Sequence, residues 1–119
     1  MSDATTTIES LKNDVKKFIQ DREWQQFHSP KNLTMALASE VTELMNFFLW
    51  CESSASYGEL EKRRQDVEDE VADIAFALLC FCIENKIDLS KALAHKQVEK
   101  ARKYPVEKCK GKWTKYTEL

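Results

Sequence analysis

ALASEVTELMNFFLW, Ala36 to Trp50, decides how this chain is read, because the stretch Val67 to Leu78 repeats its pattern. Glu40-Val41-Thr42-Glu43-Leu44 is matched by Glu70-Val71-Ala72-Asp73-Ile74: an acid, a valine, a spacer, an acid and a branched aliphatic. At about 100° per residue, Leu37, Val41, Leu44 and Phe48 form one apolar stripe, and Val67, Val71, Ile74 and Leu78 form another. Both stretches therefore predict buried helices. In each, the acids lie about 60° and 120° to one side of the first stripe residue. The turn signals between them, Ser53 to Gly58, leave too little chain for a return crossover, so the two helices should run antiparallel. From that turn it is roughly 11 residues back to the first acid pair and roughly 12 forward to the second, about 17 and 19 Å along the helices. Four carboxylates, Glu40, Glu43, Glu70 and Asp73, are thus expected at one level of a helical hairpin.

Acids so close repel one another and raise each other's pKa values unless a cation sits among them. Oxygen ligands without histidine or thiolate suit a hard ion such as Mg²⁺, which completes its shell with water and a substrate's phosphates. The plainer reading is that these are solvated acids on helix surfaces. The repeat, with its matched phase and height, weighs against that reading.

A chain of 119 residues is one domain's worth, and two glycines, two prolines and 32% charged residues suit a helical protein rather than a sheet or a disordered tail. No apolar run approaches a membrane span and no signal-peptide pattern is present, which points to the cytoplasm and to no membrane partner. Cys51, Cys80, Cys82 and Cys109 lack a CxxC zinc spacing and read as reduced thiols, with Cys80 and Cys82 acting as small hydrophobes. Residues 1 to 93 carry 10 basic and 17 acidic side chains, net −7, whereas residues 94 to 116 carry 8 basic and 2 acidic, net +6. The acidic body argues against a nucleic-acid polymer as partner, and the basic segment suits phosphates.

Taken in order, residues 1–7 read as a flexible N-terminus. A first helix is expected from about Ile8 to Glu23, with Thr6 and Glu9 as a capping box and Ile8, Leu11, Val15, Phe18 and Ile19 as its stripe. Trp24 to Ser29 is a connection in which Trp24 either plugs the end of the bundle or stacks on a planar ligand. Ser29-Pro30 opens the second helix as cap and first residue, and Lys31 and Asn32 in its first turn could reach an anion. Phe47 and Trp50 share the face of Glu40 and Glu43, so that face should line a pocket or a subunit interface. Ile74 to Ile83 is apolar nearly all round, which implies that another subunit covers it. Asp88 caps a fourth helix, Leu89 to Lys103, stopped by Tyr104-Pro105, with Lys96, Lys100 and Lys103 along one basic face. The basic tail, 106–119, lacks periodicity, and its Trp113 and Tyr116 should dock on the bundle or on a neighbouring subunit.

Glu40xxGlu43 followed by Glu70xxAsp73 resembles the ExxE and ExxD signature of the all-α nucleoside triphosphate pyrophosphatases, the MazG-like superfamily. DREWQQFHSPKNL at Asp21 to Leu33, Trp50 soon after the first acid pair, KYPVEK at Lys103 to Lys108 and the closing KYTEL look like the dCTP pyrophosphatase branch. The resemblance runs from about residue 10 to residue 119. It implies an all-α, four-helix-bundle-like, MazG-type protomer over residues 8–105 that forms a homodimer or a homotetramer arranged as a dimer of dimers. It implies Mg²⁺-dependent hydrolysis of a nucleoside triphosphate to monophosphate and pyrophosphate, with dCTP or modified cytosine deoxynucleotides as substrates and cleansing of the nucleotide pool as the role. By position, Glu40, Glu43, Glu70 and Asp73 would hold Mg²⁺, while Trp24, His28 and Trp50 would line the base pocket. Lys96 and Lys103 would meet phosphates, with Lys100 and Tyr104 beside them. The chain departs from the branch at Ala77, where a tyrosine is common, and at Lys100, where an asparagine is common.

Attack of water on the α-phosphorus needs cations to neutralise the triphosphate and a base to take the water's proton. Glu40, whose angle places it nearest the core, is the carboxylate nominated as that base. A di-iron carboxylate bundle is the weaker rival, because that design needs Glu-x-x-His on two helices and neither His28 nor His95 stands three after a glutamate. The alternative reading is a non-catalytic helical interaction protein whose acidic and aromatic face binds a basic partner.

Overall fold

The computed structural model describes residues 1–119 and contains helices and turns but no strand. It divides into two compact units, 1–87 and 88–119.

In the first unit, α1 (Ile8–Asp21) starts where its periodicity places it. Its cap is Thr7 rather than Thr6: Thr7 Oγ1 accepts the backbone N–H of Ser10, so the residue at the third helical position supplies a backbone donor and no reciprocal glutamate is used. A single 3₁₀ turn, Trp24–Phe27, fills the connection. α2 (Pro30–Asn46) opens as read, with Ser29 Oγ accepting from the Asn32 N–H at 3.1 Å and proline at the first position. It ends four residues before Trp50, where backbone bonds of the i to i+3 kind, Phe47 N–H to Leu44 and Phe48 N–H to Met45, tighten the chain out of the helix. Phe47, at the C-cap, still has helical dihedrals, whereas Trp50 lies beyond the helix that carries Glu40 and Glu43.

The turn region holds a further short helix, α3 (Ser56–Lys62), before α4 (Arg64–Glu84). α4 packs chiefly on α2 and also on α1. Late in α2, Glu40 and Glu43 meet Glu70 early in α4, while early in α2 Leu33 packs with Cys80 late in α4, so the two helices run in opposite directions, as expected. Ile19 of α1, Leu33 of α2 and Cys80 of α4 form the buried core, with Val15, Phe76 and Phe81 packed against it. The centres of the two apolar stripes are more open than periodicity suggests: Val41 and Val71, equivalent in the repeat, are each about half exposed. α4 closes on Lys86, held left-handed at φ 55°, with the Ile87 N–H bonding back to Cys82 O at 2.9 Å. Lys12 Nζ donates to Ile87 O at 2.6 Å, tying α1 to the segment that leaves α4.

In the second unit, Asp88 Oδ1 accepts from the Lys91 N–H at 2.9 Å and caps α5 (Leu89–Lys103), which stops before Tyr104-Pro105 as the sequence indicates. α6 (Val106–Cys109) adds one turn, and Gly111 at φ 76° makes the reversal that follows. Tyr116 folds edge-on against Tyr104 at 5.9 Å, whereas Trp113 is fully exposed. Of the two tail aromatics expected to dock, Tyr116 has an intramolecular partner within its unit. No helix is long and apolar enough to cross a membrane.

Candidate active site

Glu40 and Glu43 stand one turn apart on α2 and share a face, and Glu70 projects from α4 toward them. One carboxylate oxygen from each lies within 4.8 Å of the others. Glu40 and Glu70 each bury an oxygen, Oε2, that has no hydrogen-bonding partner. No lysine or arginine forms an ion pair with any of the three, since all such pairs lie elsewhere. Buried, unpartnered oxygens beside like charges are unfavourable in a protein that must hold them alone. The donor set fits a divalent cation: all oxygen, net negative, and converging from two helices. Asp73, one turn after Glu70, is exposed and stands outside this group.

Glu70 carries the electrostatic consequence. Its carboxyl is pushed up to about 7, by burial first and then by the neighbouring carboxyls of Glu43 and Glu40. Its ordinary value is 4.5, so between that pH and about 7 the folded protein holds a proton that the unfolded chain has released. The cation-free protein should therefore lose stability as pH rises through this window and level off above it. Divalent cation uptake near pH 6 should expel that proton and flatten the profile. Thermal melts between pH 5 and 8 with chelator, and calorimetric titrations in buffers of different ionisation enthalpy, check both; a flat chelated profile with no proton release would contradict the assignment.

The 3₁₀ turn before α2 sends its side chains to two places. Trp24 packs edge-on against Phe18, with ring centroids 5.6 Å apart, and Phe18 packs edge-on against Phe76 of α4, also at 5.6 Å. Gln25 and His28 instead line a cleft of about 180 Å³ with Lys16, Gln20, Cys80 and Glu84. Trp24 and His28 thus diverge within one turn. Asn32 uses its side-chain amide on the Phe27 carbonyl at 3.0 Å, while Lys31 is exposed. Trp50 is 92% exposed, near a larger cavity of about 420 Å³ lined by Phe48, Cys51, Tyr57 and Leu60.

On α5, Lys96 and Lys103 both grip Glu99, at 3.2 and 2.9 Å. The bond from Lys103, then that from Lys96, holds the Glu99 carboxyl down at about 2. Lys103 Nζ also stands 4.6 Å from the centroid of the Tyr116 ring, and Lys100 is exposed. Phe18 and Phe76 are the functional candidates that spacing does not single out. Phe18 reads as one more member of the α1 stripe, and no local signal says that its ring lies between Trp24 and the helix bearing Glu70.

Comparison with known proteins places these features in a lineage. The chain is similar to dCTP pyrophosphatase 1 of Rattus norvegicus, 34% identical over 116 residues, and to that of Homo sapiens, 31% identical over 115 residues. Each match covers 95% of this chain and 68% of the relative. Its fold is similar to that of a pyrophosphatase from Archaeoglobus fulgidus solved by crystallography, at a TM-score of 0.81 and 33% identity, covering 88% of this chain and 98% of that one. The profile of the MazG-like family matches residues 35–119, a span that includes both acid pairs, and the chain belongs to that family.

Proposed function

We propose that the protein is a Mg²⁺-dependent nucleoside triphosphate pyrophosphohydrolase that converts dCTP, or a deoxynucleotide with a modified cytosine, to the monophosphate and pyrophosphate. The observation that carries this reading is the convergence of Glu40, Glu43 and Glu70, with two buried oxygens unpartnered, in a chain similar over nearly its whole length to dCTP pyrophosphatases. Glu40, Glu43 and Glu70 would hold Mg²⁺, with Asp73 one turn on as a further oxygen donor. When bound, the ion supplies charge neutralisation for the triphosphate and for the departing pyrophosphate.

The chain's own groups account for the rest. A carboxylate that keeps one oxygen free of the cation can take the proton of the attacking water, and Glu40, which is partly buried, is the one nominated for that role. Trp24, 41% exposed, offers an indole face to a planar base. Within the second unit, Lys96, Lys100 and Lys103 are cations of the kind that phosphate oxygens take, with Lys96 and Lys103 shared with Glu99. Half-exposed Met35, Val41 and Met45 on α2 and Val71 on α4, with Leu49 in the turn after α2, leave an apolar surface suited to a second copy, which supports a homodimer or a dimer of dimers. Removal of unwanted cytosine nucleotides in the cytoplasm is the role that this chemistry serves.

Product analysis tests the reading. Purified protein is incubated with Mg²⁺ and a panel of canonical and modified deoxynucleoside triphosphates, and the products are resolved by ion exchange. Monophosphate plus pyrophosphate, strongest for cytosine substrates and abolished by chelator, is the expected outcome. Diphosphate plus phosphate would mean that a different bond is cut. No turnover of any nucleotide would favour the interaction-protein reading, in which the exposed Trp50 is a partner's anchor.

A further inference from the structure

We infer that Phe18 is a positioning residue: it locks Trp24 against the acid-bearing helix α4 and thereby sets how tightly the base of the nucleotide is held. The inference rests on the reading of Trp24 as a base contact and adds to it the device that keeps the indole in place.

Trp24 sits on a short turn rather than on a helix, so its orientation has to be imposed from outside. The residue before it, Glu23, adopts a left-handed conformation at φ 53°, ψ 41°, unusual for a non-glycine residue. Two bonds fix that turn: the Glu23 N–H to Gln20 O at 3.1 Å, and the Gln26 side-chain amide to Glu23 O at 3.0 Å. They fix the backbone but leave the indole torsions free. The edge-on ring of Phe18 meets the indole, at an interplanar angle of 75°.

Phe18 is itself held on two further sides. The Arg22 guanidinium lies 3.6 Å from its ring centroid, and the same group donates to Phe18 O at 3.1 Å. Phe76 stands edge-on at 86°, and Phe76 packs on the core of Ile19, Leu33 and Cys80. A mechanical line therefore runs from the core through Phe76 and Phe18 to Trp24. Phe76 lies six residues beyond Glu70 on the same helix, so this line refers the indole to the element that carries the acid cluster. Phe18 and Trp24 remain about 40% exposed, which leaves indole surface open to a ligand. Phe18, covered by Arg22 on one side and bounded by two rings, acts through Trp24.

Edge-to-face aromatic pairs at these distances favour particular orientations beyond the area they bury. Replacing Phe18 by leucine keeps an apolar side chain and removes the orientation. Apparent affinity then falls by the fraction of time Trp24 spends correctly placed. Phe18→Leu is expected to raise KM for dCTP, and Kd for a non-hydrolysable dCTP analogue, about three- to tenfold, with kcat within about twofold. Phe18→Tyr, which keeps the ring, should restore both. The near-UV circular dichroism of the leucine variant should weaken without a change in the far-UV spectrum. Trp24→Ala is measured alongside. If it raises KM and Phe18→Leu does not, the positioning role is overturned while the base contact stands. If neither variant changes KM or Kd, the base contact itself falls and the inference with it. Should Phe18→Leu fail to fold, the surface change Arg22→Ala loosens the same ring and should raise KM about two- to threefold; an unchanged KM there counts against the proposal.

Discussion

Glu70→Gln is expected to reduce turnover more than about a hundredfold while making the cation-free protein more stable. The two effects come from one carboxylate. Groups that merely orient a metal ligand cost roughly 10- to 100-fold when removed, and Glu70 is placed to contact the ion directly. In the absence of a cation, however, its charge is a liability. Burial and the carboxyls of Glu43 and Glu40 push its pKa up to about 7, so above that pH its ionisation costs the folded protein stability. Glutamine keeps the shape, carries no charge and can donate its amide to either neighbour. The chelated variant should melt higher than the chelated wild type at pH 7.5, and its loss of stability between pH 4.5 and 7 should disappear. Steady-state turnover with saturating Mg²⁺ and calorimetry with chelator decide the matter. A variant that keeps half its activity would remove Glu70 from the site, and one that melts lower would show that the unpartnered oxygen is satisfied in a way the geometry does not reveal.

Leu33→Ala should be among the most damaging changes to folding, at about 2–5 kcal/mol. Leu33 is 4% exposed and sits with Ile19 and Cys80 where α1, α2 and α4 converge, and no other residue of α2 is buried. Its truncation leaves a cavity with side chains from three helices around it, which cannot collapse without moving an element that bears an acid. On a domain of this size the loss corresponds to a fall in melting temperature of about 10–20 °C. Val98→Ala, at a position 73% exposed on α5, should cost under about 1 kcal/mol and serves as the control. Urea titrations of both variants with chelator present measure the difference. A Leu33 variant as mild as the Val98 variant would mean that the helices do not share this core.

What the sequence made legible was local and periodic. Ser29-Pro30, Asp88 and Tyr104-Pro105 mark helix ends because each acts through its own backbone neighbours, and each mark holds in the structure. The acid repeat is legible because two equal phases on antiparallel helices can meet on only one side, and Glu40, Glu43 and Glu70 do so. Where tertiary contacts decide, local rules fail. Nothing in the residues around Phe47 to Trp50 announces the tightening that ends α2, and the turn-forming Ser56-Tyr57-Gly58 begins a short helix that runs on to Lys62. Thr6 and Thr7 are equivalent in composition, and only the register of the first turn chooses between them. The Phe18, Trp24 and Phe76 contacts join the end of α1 and the turn after it to a helix some fifty residues on, and no spacing rule predicts the angle at which rings meet.

The burial of Cys80 and Cys82, each 2% exposed, has a consequence for how the molecule can be watched. Burial also pushes the Cys80 thiol up to about 11, so little of it is ionised at neutral pH even before access is considered. Cys51 and Cys109 are partly exposed. A thiol reagent applied to the native protein should therefore label in two phases, with the slow phase belonging to the pair on α4. The rate of that phase is a clock for the parting of α4 from its neighbours, readable by mass without any introduced probe.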